Sequence, residues 1–199
     1  MSERVAARRR TTKETSIEVR VGLDGGGAGD AACATGLAFF DHMLDQLARH
    51  GGFDLTVKAV GDLAVDAHHT VEDTGILLGA AFAEALGDKA GVRRFASIRV
   101  PLDEALVEAV VDLSGRPYLH YEIDPPGGPI LGEPPFDAQL AEEFWRAFST
   151  SAGLTLHLTL VRGRNTHHII EASFKAAARA LRDAVRVDGG GVPSTKGTL

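Results

Sequence analysis

The segments His68-His69-Thr70-Val71-Glu72 and His167-His168-Ile169-Ile170-Glu171 carry one pattern, HHxxE, twice, about one hundred residues apart. Histidine and glutamate four residues apart share a helix face, while the adjacent histidine points a quarter-turn away. One such segment can therefore serve two metal ions, His and Glu on one and the neighbouring His on the other. A single copy reads equally well as a polar helix start. Two copies at matching places in two half-chains point to a metal site and to a duplicated fold.

The flanking sequence repeats around these anchors. In the first half, residues 15–23 alternate as a strand, residues 39–49 read as a helix ended by Gly51-Gly52, residues 53–60 alternate again, and HHxxE opens a helix running to Leu86. In the second half, strands are expected at 97–100, 105–113 and 117–123. A Pro/Gly-rich loop follows at 125–135, then a helix at 137–148, a strand at 154–161 and a helix from His167 to Arg186. Asp41-His42 falls on Glu142-Glu143, Gly52 on Gly153 and Leu55 on Leu156 at one offset of 101; the histidine pairs align at 99. The expectation is an α+β protein made of a duplicated two-layer unit, each a sheet with helices on one face, with the halves packed through their helices. The divisions are a loose basic tail at 1–10, a first repeat at 11–95, a second at 96–187 and a C-terminal tail at 188–199. The glycine-rich DGGGAGD at 24–30 lacks the Gly-Lys-Ser/Thr ending of a phosphate loop and reads as a hairpin connection.

Composition narrows the function. A net charge of −6 argues against bulk nucleic-acid binding, and no apolar run approaches a membrane span. The single cysteine, Cys33, excludes an internal disulfide and a thiolate metal cluster, and fits a reducing, cytoplasmic setting. Under the duplication Glu143 is the twin of His42, so both are candidate extra ligands.

The chain resembles the imidazoleglycerol-phosphate dehydratases of histidine biosynthesis from residue 11 to its C-terminus. The resemblance rests on TTKET (11–15), FFDHMLDQLARHGGFDL (39–55), GDLAVDAHHTVEDTG (61–75), ALGDKAGVRRF (85–95), PLDEAL (101–106), DLSGRPY (112–118), HHIIEASFKAAARALR (167–182) and PSTKG (193–197). It implies loss of water from imidazole glycerol phosphate to give imidazole acetol phosphate, two Mn2+ per active site, and a homo-oligomer of 24 subunits with sites formed between them. It also implies metal ligands at His42, His68, His69, Glu72, His167, His168 and Glu171. An eighth position, usually histidine, is Glu143 here, and manganese accepts that carboxylate readily. The same helix commonly begins Thr-Glu, where this chain has Ala138-Gln139.

The chemistry explains the residue types. The hydrogen to be removed has no carbonyl beside it, so direct abstraction is hard. A metal on a ring nitrogen of the substrate's imidazole acidifies the ring, which can then expel the neighbouring hydroxyl and leave an acidic C–H for a carboxylate. Candidate acid/base residues are Glu14, the favoured one from the family pattern, with Glu171 and Asp103. Gln46 and His50 follow His42 along its helix and are expected to line the pocket. Arg94, Arg116, Lys175, Ser194 and Lys196 occupy the family's phosphate-contacting positions. Two other readings compete: a two-metal phosphatase or nuclease, disfavoured by histidine-rich ligands, and a non-catalytic metal-binding protein, which has no need of Glu14 or the arginines.

Overall fold

The computed structural model describes residues 4–25, 29–126 and 131–197. Its elements run β1 (Val5–Thr11), β2 (Thr15–Gly22), β3 (Ala31–Ala34), α1 (Ala38–Gly51), β4 (Asp54–Gly61) and α2 (His68–Leu86). They continue with β5 (Phe95–Leu102), β6 (Ala105–Asp112), β7 (Tyr118–Glu122), α3 (Leu140–Ala152), β8 (Thr155–Arg162) and α4 (Thr166–Ala184). The second six elements repeat the first six in kind and order. Sheet orders match as well, β1-β2-β4-β3 and β5-β6-β8-β7, each with one parallel pair at its end (β3/β4 and β7/β8).

The helices lie between the two sheets. Helix α2 packs on β1 and β2 and α4 on β5 and β6, while α2 meets α3 and α1 meets α4 across the middle. Strand alternation sets this up: Ile17, Val19 and Val21 of β2 point inward and are buried, whereas Glu18 and Arg20 face out. Helix α1 buries Phe39, Phe40, Met43, Leu44 and Leu47, which leaves His42, Gln46 and His50 on the opposite stripe. The aromatic centre comes from both halves: Phe40, Phe136, Phe144, Trp145, Phe148 and Phe174 are fully buried, with Phe144 centred 5.4 Å from Phe40 and 5.3 Å from Phe174.

The two helix seams differ. On α2, a Cβ at Gly75 would come within 2.8 Å of the Phe144 carbonyl, and one at Gly79 within 2.5 Å of the Phe148 carbonyl. These glycines let α2 lie directly against the α3 backbone. The α1–α4 seam is instead polar along one edge, and that edge carries chemistry.

Three sequence expectations change. Residues 5–11 are not a loose tail: β1 pairs antiparallel with β2 from Val5↔Gly22 to Thr11↔Ser16, and Arg10 and Arg8 bond Asp73 and Glu84 of α2. The run of arginines hides a strand in which Arg8 and Arg10 reach the acidic groups of α2 and Arg9 faces out beside Glu18. Strand β3 was not expected, since Ala31–Ala34 shows no alternation. The segment 24–30 does not join neighbouring strands, because β4 lies between β2 and β3; its residues 26–28 lie outside the described residues, as do 127–130 of the Pro/Gly-rich loop.

Candidate metal centre

Both HHxxE segments open helices, α2 at His68 and α4 one residue after Thr166. The Asn165 side chain caps α4 by accepting from the His168 backbone N–H. In each pair the rings stand nearly perpendicular, 82° for His68/His69 and 88° for His167/His168, with centroids 6.1 and 6.2 Å apart. Adjacent histidines thus aim at different points in both halves, as the helical spacing requires.

The tightest donor group is His42, His167 and Glu171, with one ligand atom from each lying within 4.8 Å of the others. Glu171 Oε2 is 2.9 Å from His167 Nε2 and 3.3 Å from His42 Nε2. Two imidazole nitrogens and a carboxylate oxygen are a donor set that could hold a divalent transition-metal ion. The Lys175 ammonium, 2.6 Å from Glu171 Oε1, occupies the other carboxylate oxygen. Burial works to raise the Glu171 pKa, but the bonds from Lys175, His167 and His42 outweigh it and hold the group ionised. The polar edge continues along α1: Gln46 Nε2 is 3.4 Å from His42 Nδ1, and its Oε1 is 3.2 Å from His50 Nε2. The His50 pKa is lowered by burial and by the charges of Lys175 and Arg179.

The twin group is His68, Glu72 and Glu143. His68 Nε2 lies 3.9 Å from Glu72 Oε2, and Glu143 lines the same cavity of about 440 Å³ as His68. Glu143 Oε2 also lies 3.8 Å from Arg146 Nε. This group is looser than its partner. The duplication nonetheless sets Glu143 of α3 toward the start of α2, as it sets His42 toward the start of α4.

His69 and His168 form a second kind of environment. His69 Nδ1 is 3.0 Å from Asp62 Oδ2 and 4.0 Å from Glu14 Oε2, and the Asp62 bond raises its pKa above the usual value. His168 Nδ1 is 2.8 Å from Glu104 Oε2, and its Nε2 is 3.8 Å from Asp103 Oδ2. Glu104 is held at about pKa 2 by that histidine bond and by the Asn165 and Arg164 N–H groups. Neither Asp62 nor Glu104 stood out in the sequence. An offset of 90 between β2 and β6 sets Glu104 on Glu14, which is the signal that could have found it.

The phosphate candidates gather elsewhere. Arg94 donates to both oxygens of Asp112, at 2.7 and 3.3 Å, and to the Pro193 carbonyl at 2.7 Å. It therefore ties the C-terminal segment to the sheet and is not free to meet a ligand with its whole fork. Arg116 is largely exposed and approaches Asp112 at only 3.7 Å. Ser194 Oγ accepts from the Lys196 N–H, and the Lys196 side chain is in no ion pair among the described residues. These groups sit where β6 ends, and His168 sits where it begins. The seven residue steps from Ala105 to Asp112 span about 23 Å at strand rise. Of the phosphate set, only Lys175 lies beside the metal ligands of its own chain.

The imidazoleglycerol-phosphate dehydratase family pattern matches residues 35–181. The chain belongs to the imidazoleglycerol-phosphate dehydratase family. It is 58% identical over 199 residues to the imidazoleglycerol-phosphate dehydratase of Gluconacetobacter diazotrophicus, covering 98% of both chains. It is 56% identical over 201 residues to that of Symbiobacterium thermophilum, covering 100% of this chain and 94% of the relative. The fold is similar to the crystal structures of the Staphylococcus aureus dehydratase (TM-score 0.81, 38% identity, 92% of this chain and 99% of that one). It is also similar to the Pyrococcus furiosus dehydratase in complex with (S)-C348 (TM-score 0.83, 36% identity, 96% and 100%). Family membership at this identity makes the chain an enzyme, a dehydratase of the hydro-lyase class acting on a small molecule. No helix among the described residues is long and apolar enough to cross a membrane.

Proposed function

We propose that this dehydratase removes water from imidazole glycerol phosphate to give imidazole acetol phosphate in histidine biosynthesis, with two Mn2+ per active site and a site completed between copies of the chain. The observation that carries this reading is the compact group of His42, His167 and Glu171, repeated by the duplication in the looser set of His68, Glu72 and Glu143, with a neighbouring histidine turned away in each half. His42, His167 and Glu171 would hold one ion and His68, Glu72 and Glu143 another, each sphere filled by His69 or His168 of a neighbouring copy. Held by these residues, such ions would supply Lewis acidity toward the substrate's imidazole and ease loss of the adjacent hydroxyl.

The protein groups divide the remaining work. Glu14 has a half-exposed carboxylate 4.0 Å from His69 Nδ1, where Asp62 already holds the closer place. It is the carboxylate best placed to take the proton from carbon. Asp103, at a hairpin turn and exposed beside His168 Nε2, can return a proton to the leaving hydroxyl. Glu171 is bonded to three neighbours and serves better as a ligand than as a base. Arg116, Lys175, Ser194 and Lys196 hold the phosphate, with Arg94 fixing the segment that carries the last two. Retained phosphate separates this reaction from phosphatase chemistry.

A substrate a few bonds long cannot bridge metal and phosphate groups more than 20 Å apart along β6 of one chain. That distance supports a homo-oligomer, and the 24-subunit assembly implied by the family is the form we assign. The reducing cytoplasm suits a chain whose one cysteine, Cys33, has its pKa pushed to about 12, chiefly by burial. The test is direct. Metal-depleted protein is given imidazole glycerol phosphate with and without Mn2+, and products are followed by NMR. The proposal expects the ketone with phosphate retained, only when metal is added. Release of inorganic phosphate, or equal conversion without metal, would overturn it.

A further inference from the structure

His69 and His168 both have a carboxylate on Nδ1, yet the two carboxylates come from places that the duplication does not relate. Asp62 follows β4. Strands β4 and β8 correspond at an offset of 101 up to the bulge opposite Leu106 and Val107, and at 102 beyond it, so its twin is Arg164. The glycines mark the shift: a Cβ on Gly61 would meet Thr70 and Thr15, and one on Gly163 would meet their counterparts Ile169 and Ala105, which leaves an arginine in the second half where the first has Asp62. Glu104 precedes β6, and its twin before β2 is Glu14. In the second half the hairpin-tip glutamate holds the histidine at 2.8 Å. In the first half the equivalent glutamate stands off at 4.0 Å, because Asp62 holds the histidine at 3.0 Å.

Glu104 is itself fixed. Its Oε1 accepts from the Arg164 N–H at 3.1 Å and the Asn165 N–H at 2.7 Å, which leaves Oε2 for His168. The Glu14 side chain makes no hydrogen bond among the described residues, although its backbone N–H donates to Thr12 Oγ1. One repeat has tied its hairpin glutamate down and the other has left it loose.

We propose that Glu104 is the positioning residue for His168, keeping the imidazole in its Nδ1–H form so that the Nε2 lone pair faces a metal. We propose equally that Asp62 has taken over this task at His69 and so left Glu14 free to move protons. An ionised carboxylate is acceptor-only, so a ring nitrogen bonded to it must carry the hydrogen. Partners of this kind orient metal-binding histidines and raise their basicity. The inference rests on the reading that His69 and His168 are metal ligands.

The test begins with tautomers in metal-free protein. Long-range ¹H–¹⁵N NMR should show His168 and His69 as Nδ1–H. Glu104→Gln keeps an oxygen for the Arg164 and Asn165 amides, so folding is retained. Its amide nitrogen now donates to Nδ1 and moves the ring proton to Nε2, the nitrogen needed by metal. Manganese affinity should fall roughly 10–100-fold, the usual cost of losing such a partner. Asp62→Asn should do the same at His69. Glu14→Gln should leave both tautomers and the metal affinity as in the wild type while turnover falls. His168 found as Nε2–H in the wild-type protein would overturn the proposal, as would full metal affinity in Glu104→Gln or metal loss in Glu14→Gln equal to that in Asp62→Asn. His168→Ala separates the two levels: wild-type metal affinity in that variant would refute the ligand assignment itself, whereas metal loss in it beside an unaffected Glu104→Gln would refute only the positioning role.

Discussion

At the scale of single residues, the position that the duplication singles out is Glu143. It faces the start of α2 across the cavity it shares with His68, as the duplication requires of the twin of His42. Glu143→Ala should lower manganese bound at saturation by one ion per subunit, and Glu143→His should restore it, as measured by metal analysis after dialysis. Undiminished metal in the alanine variant would show that another group fills the place. Arg94 and Arg116 should behave differently although both were read as phosphate contacts. Arg116→Ala loses a charge-assisted contact and should raise KM at least tenfold, for a cost of about 1.5–3 kcal/mol. Arg94→Ala should also lower the unfolding midpoint, since it breaks the bonds to Asp112 and Pro193. Protonation of His69 gives a further check. The Asp62 bond raises its folded pKa, so the stability it adds is complete below the unfolded histidine value and fades as pH rises through the raised one. Metal binding needs the neutral ring and runs the opposite way. NMR titration of metal-free protein should find His69 titrating above free histidine, and Asp62→Asn should abolish the difference. The paired histidines at the helix starts were legible in the sequence because their spacing is set by the helix itself. Glu104 and Asp62 were not, because their roles depend on which hairpin tip reaches which helix start.

At the scale of elements, the repeat was legible wherever apolar alternation or helical periodicity recurred, and opaque where one copy had lost the pattern. Strand β1 reads VAARRRT, with Arg8 and Arg10 at helix-facing positions where apolar residues are expected, while its twin β5 reads FASIRVPL and shows the alternation plainly. Strand β3 is four small residues, held by parallel pairing from Ala31↔Leu55 to Ala34↔Lys58, with only Cys33 packing against the core. Carrying the repeat back from β5 and β7 would have found both. The helix seam makes its own prediction. A methyl at Gly79 would overlap the Phe148 carbonyl on α3, backbone that has nowhere to go. Gly79→Ala should therefore cost about 1–3 kcal/mol by overpacking, even though alanine is the better helix former. Urea unfolding of the metal-free protein measures it, and a gain in stability would show that the seam is looser than described.

At the scale of the whole molecule, the account turns on distance. Within one chain the metal ligands lie at the beginning of β6 and α4, and the arginines with the C-terminal segment lie at their far ends, where the Arg94 N–H reaches the Ala184 carbonyl. A helix of 19 residues is about 28 Å long, so one small substrate cannot touch both groups of one chain. The duplicated frame holds the two groups apart, and the proposed shared site has copies of the chain complete one another. The most direct measurement is subunit complementation. His42→Ala, deficient in metal binding, and Arg116→Glu, deficient in phosphate binding, are each prepared as inactive protein, then dissociated, mixed and reassembled with manganese. If one site draws these residues from different chains, mixing should restore dehydration of imidazole glycerol phosphate that neither variant shows alone. A mixture as inactive as its parts, with co-assembly confirmed, would contradict the shared site.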